Sequence, residues 1–138
     1  MFRLKRVCLI HILTLTISNL AFGQLTDVAT DSGTYRGHIS PVDEKVTVFQ
    51  GIGYAAPPVG DLRWKPPSPA IPFAGVREAD RVSAACWQAR NSDASVYARG
   101  NLNRSEDCLY LNVFTGAEGS DADLPVMVWF HGLSLIHI

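Results

Sequence analysis

Stretches of β-favouring residues separated by polar turn signals follow one another along residues 28–49, and this pattern predicts β-strands. Residues 28–40 are typical of a hairpin, because Ser32-Gly33 supplies a turn signal between β-favouring residues. Residues 45–49 predict a further strand. We expect it to end at Gly51 and Gly53, since glycine permits unusual backbone angles.

Residues 54–75 contain six prolines, which exclude a regular helix or a central strand. We expect this proline-rich segment to lie along the surface of something larger, held by its large apolar side chains Tyr54, Leu62, Trp64 and Phe73. Residues 88–104 are polar and irregular, so an exposed loop is predicted there.

The pattern changes after residue 108. Residues 109–114 predict a strand with Leu109, Leu111 and Val113 on one face, and residues 116–123 predict a polar turn. Residues 125–130 are apolar without alternation, which indicates a strand buried on both faces of a helix-covered sheet. The sequence shows no convincing helix to cover it. We therefore expect this chain to be the N-terminal part of a longer protein.

The first 23 residues have the layout of a secretory signal peptide. A basic start is followed by an apolar stretch over residues 7–17, and Ala21-Phe22-Gly23 places small residues before Gln24. We expect cleavage after Gly23 and an extracellular protein; a retained N-terminal anchor is the alternative.

Composition and charge narrow the functional classes. The formal net charge is −1, and it becomes −4 once the signal peptide is removed, so neither nucleic acid nor an anionic membrane is an expected partner. Cleavage also leaves Cys86 and Cys108, which favour one disulfide in an exported protein, two unpaired buried thiols being the alternative. Two cysteines and scattered histidines do not make a zinc site, so no metal is expected.

Three blocks of sequence together resemble one family. Residues 49–64 read FQGIGYAAPPVGDLRW, residues 105–113 read SEDCLYLNV, and residues 124–132 read LPVMVWFHG. In this order they are similar to the type-B carboxylesterases, which include the cholinesterases. Gly53 departs from the family pattern, where proline is usual.

The resemblance implies the N-terminal part of an α/β-hydrolase fold, an α/β architecture, with only its N-terminal hairpins and first central strands present. It implies that Cys86–Cys108 is the family's first disulfide and that Arg63 and Glu106 form a buried ion pair. His131 and Gly132 would begin the oxyanion loop, His131 holding that loop rather than acting as a base. The substrate would be a small-molecule carboxylic ester, and no cofactor is expected because serine hydrolysis requires none.

No catalytic residue is assigned within this chain. The family's nucleophile lies in a G-x-S-x-G elbow, which the sequence does not contain. The expected organisation is therefore a signal peptide (1–23), the N-terminal piece of a carboxylesterase domain (24–132) and a tail (133–138). We expect the tail, LSLIHI, to be non-native, because one reading frame of a common transposase-end library adaptor encodes it. A truncated or alternatively spliced product is the other explanation.

Two further readings and one modification stay open. The parent protein could be a non-catalytic, cholinesterase-like adhesion or binding protein, because the residues before 132 do not distinguish it from an esterase. Taken at face value, the chain could instead be a small secreted β-domain. Asn103-Arg104-Ser105 is a sequon for N-glycosylation in a eukaryotic secretory pathway.

Overall fold

The computed structural model describes residues 24–88 and 103–130, and the predictions for residues 1–23, 89–102 and 131–138 lie outside them. The described residues form six strands and one 3₁₀ turn at Gly60–Leu62, and no α-helix. Within these residues, no helix is long and apolar enough to cross a membrane. The strands are β1 (Asp27–Thr30), β2 (Gly33–Arg36), β3 (His38–Ile39), β4 (Thr47–Gly53), β5 (Val76–Glu78) and β6 (Tyr110–Thr115).

The first sheet has the order β1-β2-β5. Strands β1 and β2 form the predicted antiparallel hairpin, and β5 joins β2 in parallel. The expected length of the second arm was wrong, because β2 ends at Arg36 and the chain then enters the other sheet as β3. The predicted turn glycine, Gly33, is already paired in β2 and has a φ of 142°.

The second sheet has the order β3-β4-β6, with β4 antiparallel to both neighbours. Of the two glycines predicted to end β4, Gly53 is its last residue, whereas Gly51 lies within the strand. A bulge places Gln50 and Gly51 opposite the single residue Asn112, and pairing resumes at Ile52. Gly51 has a φ of 75°, so the bulge uses its conformational freedom within the strand. The predicted strand at 109–114 is confirmed as β6, displaced by one residue.

A small apolar core lies between the two sheets. Tyr35 of β2, Phe49 of β4 and Ala79 are buried together, and Phe73 packs its ring edge-on to Tyr35 with 5.1 Å between ring centroids. A Cβ at Gly33 would lie 2.6 Å from the Phe73 ring, so this close approach requires glycine. Phe73 thus anchors the proline-rich segment as expected.

The other expected anchors of the proline-rich segment behave differently. Trp64 and Tyr54 are exposed, so the prediction that they hold the segment is wrong, and Leu62 is half-buried. Apart from the 3₁₀ turn the segment forms no helix or strand, as its prolines predict.

The predicted strand at 125–130 is not observed. These residues pair with no strand in the described parts of the chain, and the side chains of Val126 through Phe130 are all exposed. An apolar run has the composition of a buried strand, but a strand also requires a neighbour for its backbone hydrogen bonds. No neighbour is provided by the described residues.

Thr47 is the most completely buried polar residue of β4, and its hydroxyl makes no hydrogen bond within residues 24–88 and 103–130. A buried unsatisfied hydroxyl costs about 1–3 kcal/mol. We expect Thr47→Val to raise the free energy of unfolding by about 1 kcal/mol, measured by urea titration. Thr34→Val, in the half-buried hairpin, is the matched control. A less stable T47V protein would show that the hydroxyl has a partner.

Candidate functional site

The segment 106–113 docks along residues 51–63, and three contacts fix it there. Arg63 pairs with Glu106, the Tyr54 N–H donates to the Leu109 carbonyl at 3.1 Å, and the Gly51 N–H donates to Asn112 Oδ1 at 3.0 Å. Two of the three blocks picked out in the sequence are therefore one structural unit. This unit positions β6.

The predicted pair of Arg63 and Glu106 is present. Arg63 directly follows the 3₁₀ turn and caps it, because its N–H donates to the Gly60 carbonyl at 3.1 Å. Its Nε donates to Glu106 Oε1 at 2.6 Å, and its guanidinium lies 5.0 Å from the ring centre of Trp64. Trp64 has a φ of 63°, a region that bulky residues rarely adopt.

The expectation that this pair is buried is wrong for the described structure. The side chains of Arg63 and Glu106 are 52% and 38% exposed. Because water screens an exposed pair, its contribution to the free energy of unfolding is that of a surface salt bridge and not that of a buried one. The pair fixes the geometry of the unit more than it stabilises the fold.

We expect Glu106→Gln to lower the free energy of unfolding by no more than about 1 kcal/mol. The amide keeps the shape and an acceptor oxygen for Arg63 but removes the charge. Urea unfolding at low and high salt measures this, and the difference should shrink as salt rises. Glu118→Gln, which removes an exposed carboxylate outside the unit, is the control. A loss of about 3 kcal/mol or more would indicate a buried pair.

The bulge in β4 is the feature of this unit that the sequence did not reveal. Both N–H groups of the bulge find acceptors: that of Gln50 donates to the Ala79 carbonyl at 2.8 Å, and that of Gly51 donates to the side chain of Asn112. Asn112 therefore connects β6 to the bulge. The available signal was Gly51 itself, because an isolated glycine within a strand pattern suggests a bulge.

Tyr110 and Asp107 form a second polar contact at the start of β6. The Tyr110 hydroxyl donates to Asp107 Oδ2 at 3.1 Å, while the Asp107 N–H donates to Ser105 Oγ at 3.0 Å. Partial burial of the phenol, together with the hydrogen bond to Asp107, raises the pKa of Tyr110. The contact thus holds the tyrosine in its neutral form.

The raised pKa of Tyr110 predicts a dependence of stability on alkaline pH. The unfolded chain loses the phenolic proton near pH 10, whereas the folded chain retains it to higher pH. The stabilising contribution is complete below about pH 10 and is lost as the pH rises through the folded-state pKa. We expect Tyr110→Phe to reduce the fall in stability above that pH, measured by thermal unfolding across the alkaline range. Tyr54→Phe, which alters an exposed tyrosine, is the control; identical profiles for Y110F and the unmodified protein would contradict the assignment.

Cys86 and Cys108 form a disulfide in the structure, with 5.1 Å between their Cα atoms. The alternative of two unpaired thiols is therefore wrong for this structure. The neighbouring backbone adds two hydrogen bonds: the Ala85 N–H donates to the Asn103 carbonyl at 2.9 Å, and the Ser105 N–H donates to the Ala85 carbonyl at 3.0 Å. The disulfide thus ties residues 85–86 to the chain that leads into β6.

The remaining predicted site residues fall at the edges of the described chain. Asn103 is exposed, whereas His131 and Gly132 lie outside the described residues. Within residues 24–88 and 103–130, no group of three or more acidic, histidine or cysteine side chains is arranged to hold a metal ion. The described unit is thus a scaffold that leads toward the predicted oxyanion loop.

Comparison with known proteins identifies the class. A model of the carboxylesterase family matches residues 24–137. The chain is 41% identical over 99 residues to fumonisin B1 esterase from Sphingopyxis macrogoltabida, covering 72% of this chain and 18% of that protein. It is 40% identical over 112 residues to cocaine esterase from Oryctolagus cuniculus, covering 75% and 21%. A solved structure of PNB esterase is similar with a TM-score of 0.64 and 37% identity, covering 78% of this chain and 21% of that one.

The chain belongs to the carboxylesterase family, a family of carboxylic ester hydrolases. The resemblance drawn from the three sequence blocks is confirmed, as is the α/β-hydrolase fold class, of which the described strands form an N-terminal part. The chain spans about a fifth of the length of these relatives.

Proposed function

We propose that this chain is the N-terminal part of a secreted serine carboxylic ester hydrolase. The observation that carries the proposal is the docking of residues 106–113 onto residues 51–63 in a chain that the carboxylesterase family matches over residues 24–137. Both halves of this unit are sequence blocks that resemble the family. The family match and the observed contacts between these two blocks therefore both support the proposal.

In such a hydrolase a serine attacks the ester carbonyl, a histidine takes the serine proton, and a carboxylate orients the histidine. Backbone N–H groups stabilise the negative charge that develops on the carbonyl oxygen. The share that we assign to this chain is positional: the docked unit holds β6, and His131-Gly132 begin the loop that carries those N–H groups. Glycine suits that loop, because a Cβ would obstruct the approach of the backbone to the oxygen.

The chain by itself should be inactive. Its sequence contains no G-x-S-x-G elbow, and Leu133 and Ser134 follow Gly132 where the resemblance implies further glycines. We propose that residues 133–138 are not native, and that the nucleophile, base and acid belong to the sequence that follows residue 132 in the parent protein. The proposed substrates are small-molecule carboxylic esters, in keeping with the esterase names of the relatives.

Two observations support secretion. The first 23 residues have the three-part layout of a signal peptide. The structure also contains a disulfide, and disulfides persist in oxidising compartments.

The experiment begins by sequencing independent long reads of the source transcript through codon 132. We expect codons for further glycines and, later, a G-x-S-x-G elbow. The full protein and the present chain are then treated with a fluorophosphonate probe, which labels activated serines, and assayed with p-nitrophenyl acetate. The full protein should be labelled and active and should lose both properties when the elbow serine is replaced by alanine, whereas the present chain should show neither.

Two results would overturn the proposal in different ways. A full-length protein without a serine in the elbow, unlabelled by the probe, would indicate a non-catalytic binding protein on the same scaffold. Transcripts that encode residues 133–138 followed by a stop codon would remove the enzyme assignment for this chain.

A further inference from the structure

We propose that Asn103 carries an N-linked glycan, and that the glycan is attached before the Cys86–Cys108 disulfide closes. The proposal uses the secretion part of the proposed function but not the ester hydrolysis. It is carried by the position of the sequon relative to the disulfide and to Ala85.

The acceptor side chain is accessible. Asn103 is exposed, whereas the next residue, Arg104, is half-buried with its Nε shielded from solvent. The sequon hydroxyl, on Ser105, lies two residues further along the same extended stretch. A glycan on Asn103 would therefore project into solvent without displacing the core around Phe49.

The folded backbone around the acceptor is nevertheless held on both sides. The Asn103 carbonyl accepts from the Ala85 N–H at 2.9 Å, and the Ser105 N–H donates to the Ala85 carbonyl at 3.0 Å. Ser105 Oγ is itself occupied, because it accepts from the Asp107 N–H at 3.0 Å. An enzyme that must grip Asn103, Arg104 and Ser105 would have to break these contacts.

The disulfide is what keeps those contacts in place. Cys86 directly follows Ala85, and Cys108 lies five residues after Asn103, so closing the bond brings Ala85 against the sequon. Before closure, no covalent bond holds residues 85–86 beside the sequon. The geometry therefore places glycan attachment and disulfide closure in competition, with the glycan first.

The chemical step is a group transfer from a lipid-linked oligosaccharide. Asn103 Nδ2 forms a bond to the anomeric carbon of the sugar, and the bond from that carbon to the lipid pyrophosphate breaks. The amide nitrogen gives up one proton, and the lipid pyrophosphate leaves with the electron pair. No oxidant or reductant is consumed.

The first test translates the chain in the presence of eukaryotic microsomes, behind a leader of established function. This arrangement separates the result from both the native signal peptide and the ester hydrolysis. We expect a mobility shift that peptide N-glycosidase F removes, with conversion of Asn103 to aspartate seen by mass spectrometry. Asn103→Gln and Ser105→Ala should each abolish the shift completely, while Asn101→Gln, outside the sequon, should keep it. An unshifted product inside protease-protected microsomes would overturn the proposal.

The second test addresses the order of events. Cys86→Ser and Cys108→Ser both prevent closure, so each should raise the glycosylated fraction, as should dithiothreitol during translation. Because Cys86 is distant from the sequon in sequence, an equal effect of the two variants supports closure as the cause. An increase with C108S alone would assign the effect to local sequence, and unchanged occupancy in both variants would contradict competition; either result overturns the proposed order.

Discussion

Replacing Phe49 with alanine should lower the free energy of unfolding by about 3–5 kcal/mol, the usual cost of emptying a buried aromatic position. Phe49 is 3% exposed and packs with Tyr35 and Ala79 at the junction of the two sheets. The core is small, so few neighbours are available to collapse into the space. Because domains are stable by only about 5–15 kcal/mol, this loss removes a large share of the free energy of unfolding.

Phe114→Ala is the matched control for this prediction. Phe114 lies on the adjacent strand β6, has the same side chain and is 66% exposed, so its removal should cost much less. Urea titration followed by circular dichroism compares the two variants with the unmodified chain. Equal losses for F49A and F114A would show that Phe49 is not the centre of the core.

The strands near the N-terminus were predictable because β-favouring residues lie on both sides of the Ser32-Gly33 turn signal and fill residues 45–49. Burial does not alternate along these strands: Thr47 through Phe49 of β4 are all buried, and Leu111 through Phe114 of β6 are all exposed. The bulge was not predictable from the same pattern. A glycine is equally suited to the end of a strand and to a bulge within one. The contact that favours the bulge comes from the side chain of Asn112, 61 residues away.

The strand predicted at 125–130 fails for a different reason. An uninterrupted apolar run indicates that its residues prefer burial, but it does not supply the strand on which they would pack. In the described structure Val126 through Phe130 are exposed. Whether the run forms a strand depends on the neighbouring strands of its sheet, and the sequence of residues 125–130 does not specify those neighbours.

In the candidate site, too, one feature was predictable from the sequence and others were not. The pairing of Arg63 with Glu106, 43 residues apart, followed from the family resemblance, and the structure places the two side chains in contact. Their burial did not follow, because exposure depends on what covers a side chain and not on its partner. The contact between Tyr110 and Asp107 was also missed, although both residues lie in the matched block.

Removing the disulfide should have the other large effect on stability. The bond closes a loop of 23 residues counted inclusively, and constraining an unfolded chain by a loop of that size is worth about 3 kcal/mol. Cys86→Ser and Cys108→Ser should each lower the free energy of unfolding by about that amount, and the double variant should lose no more than either single one, because all three lack the same bond.

Thermal and urea unfolding of the chain from Gln24, with and without reductant, measure the contribution. The single variants should match the reduced chain, and reductant should leave the variants unchanged. The chain from Gln24 lacks Cys8, so no third thiol can form an alternative bond. The loss should come from the unfolded state, which gains freedom when the loop opens, while the contacts of Phe49 and Tyr35 persist. A double variant clearly less stable than either single one would mean that the two side chains also contribute through packing. A reduced chain as stable as the oxidised one would mean that the bond does not constrain the unfolded chain.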